Sequence, residues 1–152
     1  MKGRTFLEII IALLVILFMY AGSSKFYDMH AFRAGMKNQP FPVWINKVLA
    51  TTLPFLEIII ALALGFTKSR RIALYAYFFL MLAFTLYTGM VVFNFFKNSP
   101  CGCGGIINHL SWTWHFIINL IFLILTVIAI LLNKRSEIFM HKQEVSPKPV
   151  TE

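Results

Sequence analysis

Charged residues are scarce in this chain, and acidic ones more so than basic ones. Only 13% of its 152 residues are charged, whereas a soluble domain is about one quarter charged. Hydrophobic residues make up 59% and the mean hydropathy is +0.74, which favours one compact membrane domain over a soluble one. The net charge of +8 does not indicate nucleic-acid binding, because the basic residues stand in small groups between apolar runs, as at membrane flanks.

The sequence also lacks alternating strand patterns, internal repeats and low-complexity tracts. Because no segment alternates apolar and polar residues as a barrel strand does, α-helices are the structure that can satisfy the backbone hydrogen bonds in lipid. A span needs about 20 largely apolar residues, and four segments qualify: 5–22, 45–66, 72–96 and 113–132. We therefore predict an all-α membrane protein, with a four-transmembrane-helix bundle in residues 1–133. The polar tail, 134–152, is expected to be largely disordered after an initial helical extension.

Lysine and arginine counts give the orientation. With both termini inside, nine of these residues lie on the inner side and five on the outer side, namely Lys25, Arg33, Lys37, Lys47 and Lys97. This excess predicts an N-in/C-in protein with both termini in the cytoplasm, so the segment between the last two spans is expected on the outer side. The tight inner turn 67–71 carries the strongest signal. A cleavable signal peptide in place of the first span is the competing interpretation.

The first outer segment, 23–44, has a helical pattern of its own. Large apolar side chains recur at helical spacing, with cations between them: Phe26, Met29, Phe32 and Met36. This predicts a short helix in the headgroup region, capped by Asp28. Pro40 and Pro42 end it, and Pro42 is suited to opening the second span.

Cysteine is limited to two residues, Cys101 and Cys103, in a glycine-containing loop between the last two spans. Bridging them closes a very small loop, which removes little chain entropy, so they are a poor structural staple. Such a ring is strained and readily reduced. The pair therefore predicts thiol–disulfide exchange in an oxidising compartment, with an inert or structural pair as the alternative.

Two histidines follow the cysteines, at positions 109 and 115. His109 or His115 would stabilise a thiolate or move a proton during exchange, which makes Cys101, Cys103, His109 and His115 the candidate catalytic set. The same four residues offer a ligand set for zinc or copper(I), although their spacing matches none of the usual zinc signatures.

Polar residues also occur inside the spans. Trp112, His115 and Asn119 share one helix face, which is expected to point into the bundle. Tyr87 and Asn94 of the third span are expected to meet them there, and interhelical hydrogen bonding is the main interpretation of Asn94 and Asn119.

Two carboxylates also fall within predicted spans. Glu8 is expected to pair with Arg4, one turn away. Glu57 lies near the bilayer midplane, where an ionised group costs at least ~2.5–3.5 kcal/mol, so it must be protonated, paired or hydrated. It is either a bundle-locking hydrogen-bonding group or a proton site. Pro54 frees the carbonyl of Ala50, which Thr51 or a neighbouring helix must compensate.

These landmarks together resemble the MauE/DoxX-like family of small four-helix membrane proteins. The resemblance covers about residues 5–132 and is carried by several short motifs: 21–25 (AGSSK), Asp28, Phe32, 53–57 (LPFLE), 101–103 (CGC), Trp112, His115 and Asn119. The order and spacing of these motifs around four spans carry the likeness. Within them we assign Lys25, Asp28, Glu57 and Asn119 a structural or proton-handling role.

The resemblance implies a redox-associated protein of the bacterial inner membrane. Methylamine-utilisation members are tied to the maturation of methylamine dehydrogenase, whose small subunit needs many disulfides. The favoured function is therefore a thiol–disulfide oxidoreductase component that works with a periplasmic thioredoxin-like protein or client. Because the chain has no second cysteine pair, its electrons must pass to a bound quinone or to a partner. A non-catalytic assembly factor, a zinc or copper delivery subunit and a purely structural subunit are the alternatives.

Overall fold

The structure is a computed structural model that describes the backbone of residues 2–95 and 112–145 and the side chains of 3–95 and 112–136. Within these ranges the chain forms five α-helices and no strand: α1 (Lys2–Tyr27), α2 (Met29–Lys37), α3 (Val43–Gly65), α4 (Arg70–Val92) and α5 (Trp112–Val145). All except α2 are long and apolar enough to cross a membrane. The predicted all-α fold with four candidate spans is confirmed.

The four long helices form a closed bundle. Helix α1 packs against α3 and α5, and α4 packs against the same two helices, so the order around the core is α1, α3, α4, α5. Buried residues of α1 recur every three or four positions, as expected for one helix face: Leu7, Ile10, Ile11, Leu14 and Phe18. Phe18 stacks on Tyr77 of the diagonal helix α4, with ring centroids 3.8 Å apart.

The short helix predicted in the first outer segment is present as α2. Asp28 caps it, because its Oδ1 accepts a hydrogen bond from the backbone N–H of Ala31 at 2.9 Å. Phe32 and Met36 are buried on its inner face, in one cluster with Ala50 and Leu53 of α3. Helix α2 is therefore fixed to the bundle by apolar contacts as well as by its connections to α1 and α3.

The connections around α3 also agree with the sequence. Pro42 immediately precedes the first residue of α3, and α2 has ended before Pro40. At the opposite end of α3 the chain turns within four residues, 66–69. Ser69 stabilises this turn by donating a hydrogen bond from its Oγ to the carbonyl of Ala63 at 2.7 Å.

Two details of α1 and α4 differ from the prediction. Helix α4 ends at Val92 rather than at 96, because Asn94 has a left-handed backbone with φ of 55°, which a helix cannot continue. Glu8 forms its ion pair with Arg70 of α4 rather than with Arg4. The two Arg70 terminal nitrogens donate to its two carboxylate oxygens at 2.8 and 3.1 Å, a bidentate geometry that an Arg4 one turn away on the same helix does not provide.

Helix α5 continues past the predicted end of its span, to Val145. The initial part of the polar tail is therefore helical, and residues 146–152 lie outside the described range. The division at residue 133 stays a prediction.

Helices α1 and α3 approach closely at Gly22. A Cβ atom there would lie 2.8 Å from Cγ1 of Ile58 and 3.1 Å from the carbonyl oxygen of Pro54. We expect Gly22→Ala to separate the two helices and to destabilise the bundle by about 1–3 kcal/mol, the usual range for overpacking. The measurement is the melting temperature in detergent, followed by circular dichroism.

Gly3→Ala is the matched control, because a Cβ atom at Gly3 meets nothing within 4 Å. It should melt at or above the temperature of the parent protein, since alanine favours a helix more than glycine does. Equal melting temperatures for the Gly22 variant and the parent would contradict the close approach.

Candidate functional site

A buried ion pair joins the end of α1 to the middle of α3. The ammonium group of Lys25 donates to both carboxylate oxygens of Glu57, at 2.7 and 2.8 Å. The Glu57 side chain is 1% exposed and that of Lys25 is 16% exposed. Of the three states that the sequence allowed for Glu57, the structure shows the paired one.

Local sequence explains why these two residues meet. Gly22 lets α1 lie against the backbone of α3, and Lys25 follows one turn later on α1. The aliphatic stem of a lysine near a helix end can extend along an apolar surface while its charged end finds a partner.

Pro54 lies one turn before Glu57 on α3. Thr51 does not compensate the carbonyl that Pro54 frees, since its hydroxyl donates to Lys47 instead, at 3.1 Å.

The surroundings shield the pair. The carbonyl of Ala21 accepts hydrogen bonds from the Lys25 ammonium at 3.2 Å and from the Ser24 hydroxyl at 3.0 Å. The ring of Phe32, on the buried face of α2, has its centroid 5.8 Å from the Lys25 nitrogen, within the range of a cation–π interaction. Helix α2 therefore covers the pair on one side.

A second group of polar and aromatic residues lies where the connection between α2 and α3 meets α4 and the first turn of α5. The hydroxyl of Tyr87 donates to Oε1 of Gln39, in the connection after α2. The Tyr87 ring also meets the ring of Trp112 edge-on, with centroids 6.3 Å apart. His115 follows on the same face of α5, its ring centroid 6.2 Å from that of Trp112.

Tyr87 therefore contacts the face of α5 that was predicted to point into the bundle, and it does so through Trp112. Asn119 is half-buried one further turn along. Asn94 does not belong to this group, because it lies beyond the end of α4 and is exposed. The prediction that Asn94 meets His115 and Asn119 from a shared helix face is thus wrong.

A family model described as "Methylamine utilisation protein MauE" matches residues 3–132. The chain belongs to this family. No curated protein and no solved structure matches it. The family and the four apolar helices together make the chain a multi-pass membrane protein of the methylamine-utilisation type.

The cysteine loop of this MauE-family chain falls in residues 96–111, so Cys101, Cys103 and His109 lie outside the described residues. Its two attachment points are described. Phe95 follows α4, and Trp112 begins α5 against Tyr87. The segment with both cysteines is thus joined to the end of the bundle that carries Gln39, Tyr87 and His115.

Metal binding by this MauE-family chain stays a prediction. Among the described residues there is no group of three or more His, Cys, Asp or Glu side chains that could hold a metal ion. Three of the four predicted ligands belong to the undescribed segment, and His115 alone of the set is described.

Sequence reasoning missed two buried amides near this end of the bundle. Gln39 is 6% exposed and Asn46 is 5% exposed. The Asn46 Nδ2 group donates to the carbonyls of Gln39 and Phe41 at 3.3 and 3.1 Å, which fixes the connection between α2 and α3. The available signal was Asn46 itself, a polar residue at the start of a predicted span.

The Lys25–Glu57 pair should be strongly coupled. Lys25→Met or Glu57→Gln alone leaves one buried charge without its partner, which costs about 3–5 kcal/mol. Lys25→Met together with Glu57→Gln removes both charges and should recover most of that stability. The measurement is a double-mutant cycle on thermal stability in detergent.

Glu8→Gln serves as the comparison variant at a less buried carboxylate, since the Glu8 side chain is 46% exposed and that of Glu57 is 1% exposed; it should lower the melting temperature less than Glu57→Gln does. If the two single changes at Lys25 and Glu57 simply add in the double variant, the pair is not the coupled unit that its geometry indicates.

Proposed function

We propose that this protein is an inner-membrane component of periplasmic thiol–disulfide exchange, in which Cys101 and Cys103 cycle between disulfide and dithiol. The observation that carries the proposal is the isolated Cys-x-Cys pair, the chain's whole cysteine content, on the segment that joins α4 to α5. The MauE family, which matches residues 3–132, agrees with a role in maturing a disulfide-containing partner.

The exchange step is a two-electron transfer between thiols. A client thiolate attacks the Cys101–Cys103 disulfide, which forms a mixed disulfide and releases one cysteine as a thiolate. A second client thiolate then attacks the mixed disulfide. The client gains a disulfide, and the two cysteines leave as a dithiol that has taken up two electrons and two protons. A thioredoxin-like partner disulfide reverses this change by the same chemistry.

Histidine side chains support the proton transfers. His115 lies on the first turn of α5 beside Trp112, and His109 precedes it on the cysteine segment. An imidazolium near a thiolate stabilises the charged form, and a neutral imidazole accepts a thiol proton. We assign these residues to modulating the thiols and leave both cysteines as candidate nucleophiles.

A neutral quinone is a less suitable electron acceptor for the described residues than the disulfide of a partner protein. The groove between α2 and α3 has apolar walls, but it is rimmed by the cations Arg33, Lys37 and Lys47, which favour an anion. The proposed mechanism therefore routes no step through a quinone, and the electrons pass to a partner protein.

The N-in/C-in orientation supports a periplasmic location for the cysteines. Lysine and arginine are in excess on the side that carries both termini and the 66–69 turn, as expected for the cytoplasmic side. Pairing removes one cation from each side, Arg70 with Glu8 and Lys25 with Glu57, so the excess persists.

Single replacements should trap the exchange partner. With Cys101→Ser or Cys103→Ser, one thiol remains to form a mixed disulfide but its resolving neighbour is lost, so we expect a covalent adduct that disappears on reduction. The measurement is non-reducing electrophoresis of membranes, with the adduct identified by mass spectrometry.

The double Cys→Ser variant is the control and should form no adduct. Absence of an adduct in both single variants would contradict exchange. Near-stoichiometric zinc or copper in the purified protein, lost in the double variant, would instead support metal delivery.

Location is tested by labelling from outside. A membrane-impermeant maleimide should label the reduced parent protein in intact spheroplasts, because we place both cysteines on the periplasmic side. A matched control carries Thr67→Cys in the double Cys→Ser background, since Thr67 is exposed in the 66–69 turn. That control should be labelled only after the membrane is permeabilised, and the reverse pattern would overturn the orientation.

A further inference from the structure

A groove of about 640 Å³ lies between α2 and the first turns of α3. Its lining combines apolar side chains with three cations and two uncharged polar residues: Met36, Val43, Ala50, Arg33, Lys37, Lys47, Asn46 and Thr51. Neither the ion pair at Lys25 nor the cysteine chemistry uses these cations. The mixture of an apolar wall and a basic rim is that of a site for an amphiphilic anion.

The charge on this rim is not neutralised by the protein within the described side chains. Glu57 and Glu8, which form the ion pairs seen there, are committed to Lys25 and Arg70, and Asp28 caps α2. Three like charges around one groove repel each other, and an anion in the groove would relieve that repulsion.

The position of the groove selects a membrane lipid over a soluble anion. It opens where the span of α3 begins, at Val43, and the next residue along the chain is Trp44, whose side chain is 68% exposed. A tryptophan at the end of a span is typical of the headgroup level. Lysine and arginine at this level attract anionic lipids, with a contribution of about 1 kcal/mol each.

Asn46 supplies an independent indication of a ligand. Its Nδ2 donates to two backbone carbonyls, which fixes the orientation of the amide. Its Oδ1 is buried and has no hydrogen-bond partner among the described residues. A headgroup with a hydroxyl donor is a source of the missing hydrogen bond, since Asn46 lines the groove.

We propose that the groove between α2 and α3 binds one anionic phospholipid of the surrounding leaflet, of the phosphatidylglycerol type. Its phosphate lies against Arg33, Lys37 and Lys47, and its acyl chain lies against the apolar wall at Met36 and Val43. This lipid fixes α2 at the membrane surface. The proposal stands apart from the thiol chemistry, because no cysteine takes part in it.

Trp44 provides a reporter for the test. In a chain with Trp112→Phe and Trp114→Phe it is the sole tryptophan, and bromine atoms on a bound acyl chain quench its fluorescence. The protein is reconstituted in phosphatidylcholine vesicles that contain either brominated phosphatidylglycerol or brominated phosphatidylcholine at equal mole fraction. We expect stronger quenching by the glycerol lipid, with a preference that falls about fivefold for each cation replaced by glutamine.

The decisive variant combines Arg33→Gln, Lys37→Gln and Lys47→Gln, with helix content checked by circular dichroism. The control removes the same charge at the opposite end of the bundle, through Lys68→Gln, Lys134→Gln and Arg135→Gln, and should keep the preference. If the triple variant fails to fold, the single variants Lys37→Gln and Lys47→Gln give the same test in smaller steps.

Equal quenching by the two lipids in the parent chain would overturn the proposal. So would a preference that survives the three changes at the groove, or displacement of the brominated lipid by inorganic phosphate, which would indicate a site for a soluble anion.

Discussion

The ion pair between Lys25 and Glu57 is the interaction on which the arrangement of this bundle depends. A bilayer does not solvate charge, so a carboxylate in the middle of α3 needs a partner or must stay neutral. Lys25 meets that need at 2.7 Å, and it can do so because Gly22 lets α1 approach the backbone of α3. The same requirement sets the register between the two helices and positions α2, whose Phe32 covers the pair.

Several polar features of the described residues lie in the half of the bundle that carries α2. The ion pair, the buried amides of Gln39 and Asn46, the basic groove and the Tyr87–Trp112 contact all lie there. The cysteine segment joins the bundle at that end too, through Trp112. The opposite end has a short turn and the Glu8–Arg70 pair. This asymmetry supports the proposal that the thiol chemistry takes place on one side of the membrane.

Residues whose behaviour depends on near neighbours in the chain were predictable. Asp28 caps α2 because a side-chain oxygen before a helix accepts from an amide three residues on, and Phe32 and Met36 are buried because they share one helical face. Residues that depend on another helix were not. Glu8 had a plausible partner in Arg4, but the better geometry comes from Arg70, which is 62 residues away in the chain. Asn94 looked like part of a span, yet its left-handed backbone ends α4 earlier.

The sequence by itself determined the membrane class, the four spans, the short outer helix and the isolated Cys-x-Cys pair, because length, hydropathy and helical spacing are local properties. Only the tertiary structure decided which charges meet. In the folded bundle Lys25 pairs with Glu57. Tyr87 contacts Gln39 and Trp112. The cations of α2 and α3 line one groove. The physical reason is that a buried charge or amide is satisfied by whichever group the packing brings within hydrogen-bonding distance, and packing is set by the whole bundle rather than by any one helix.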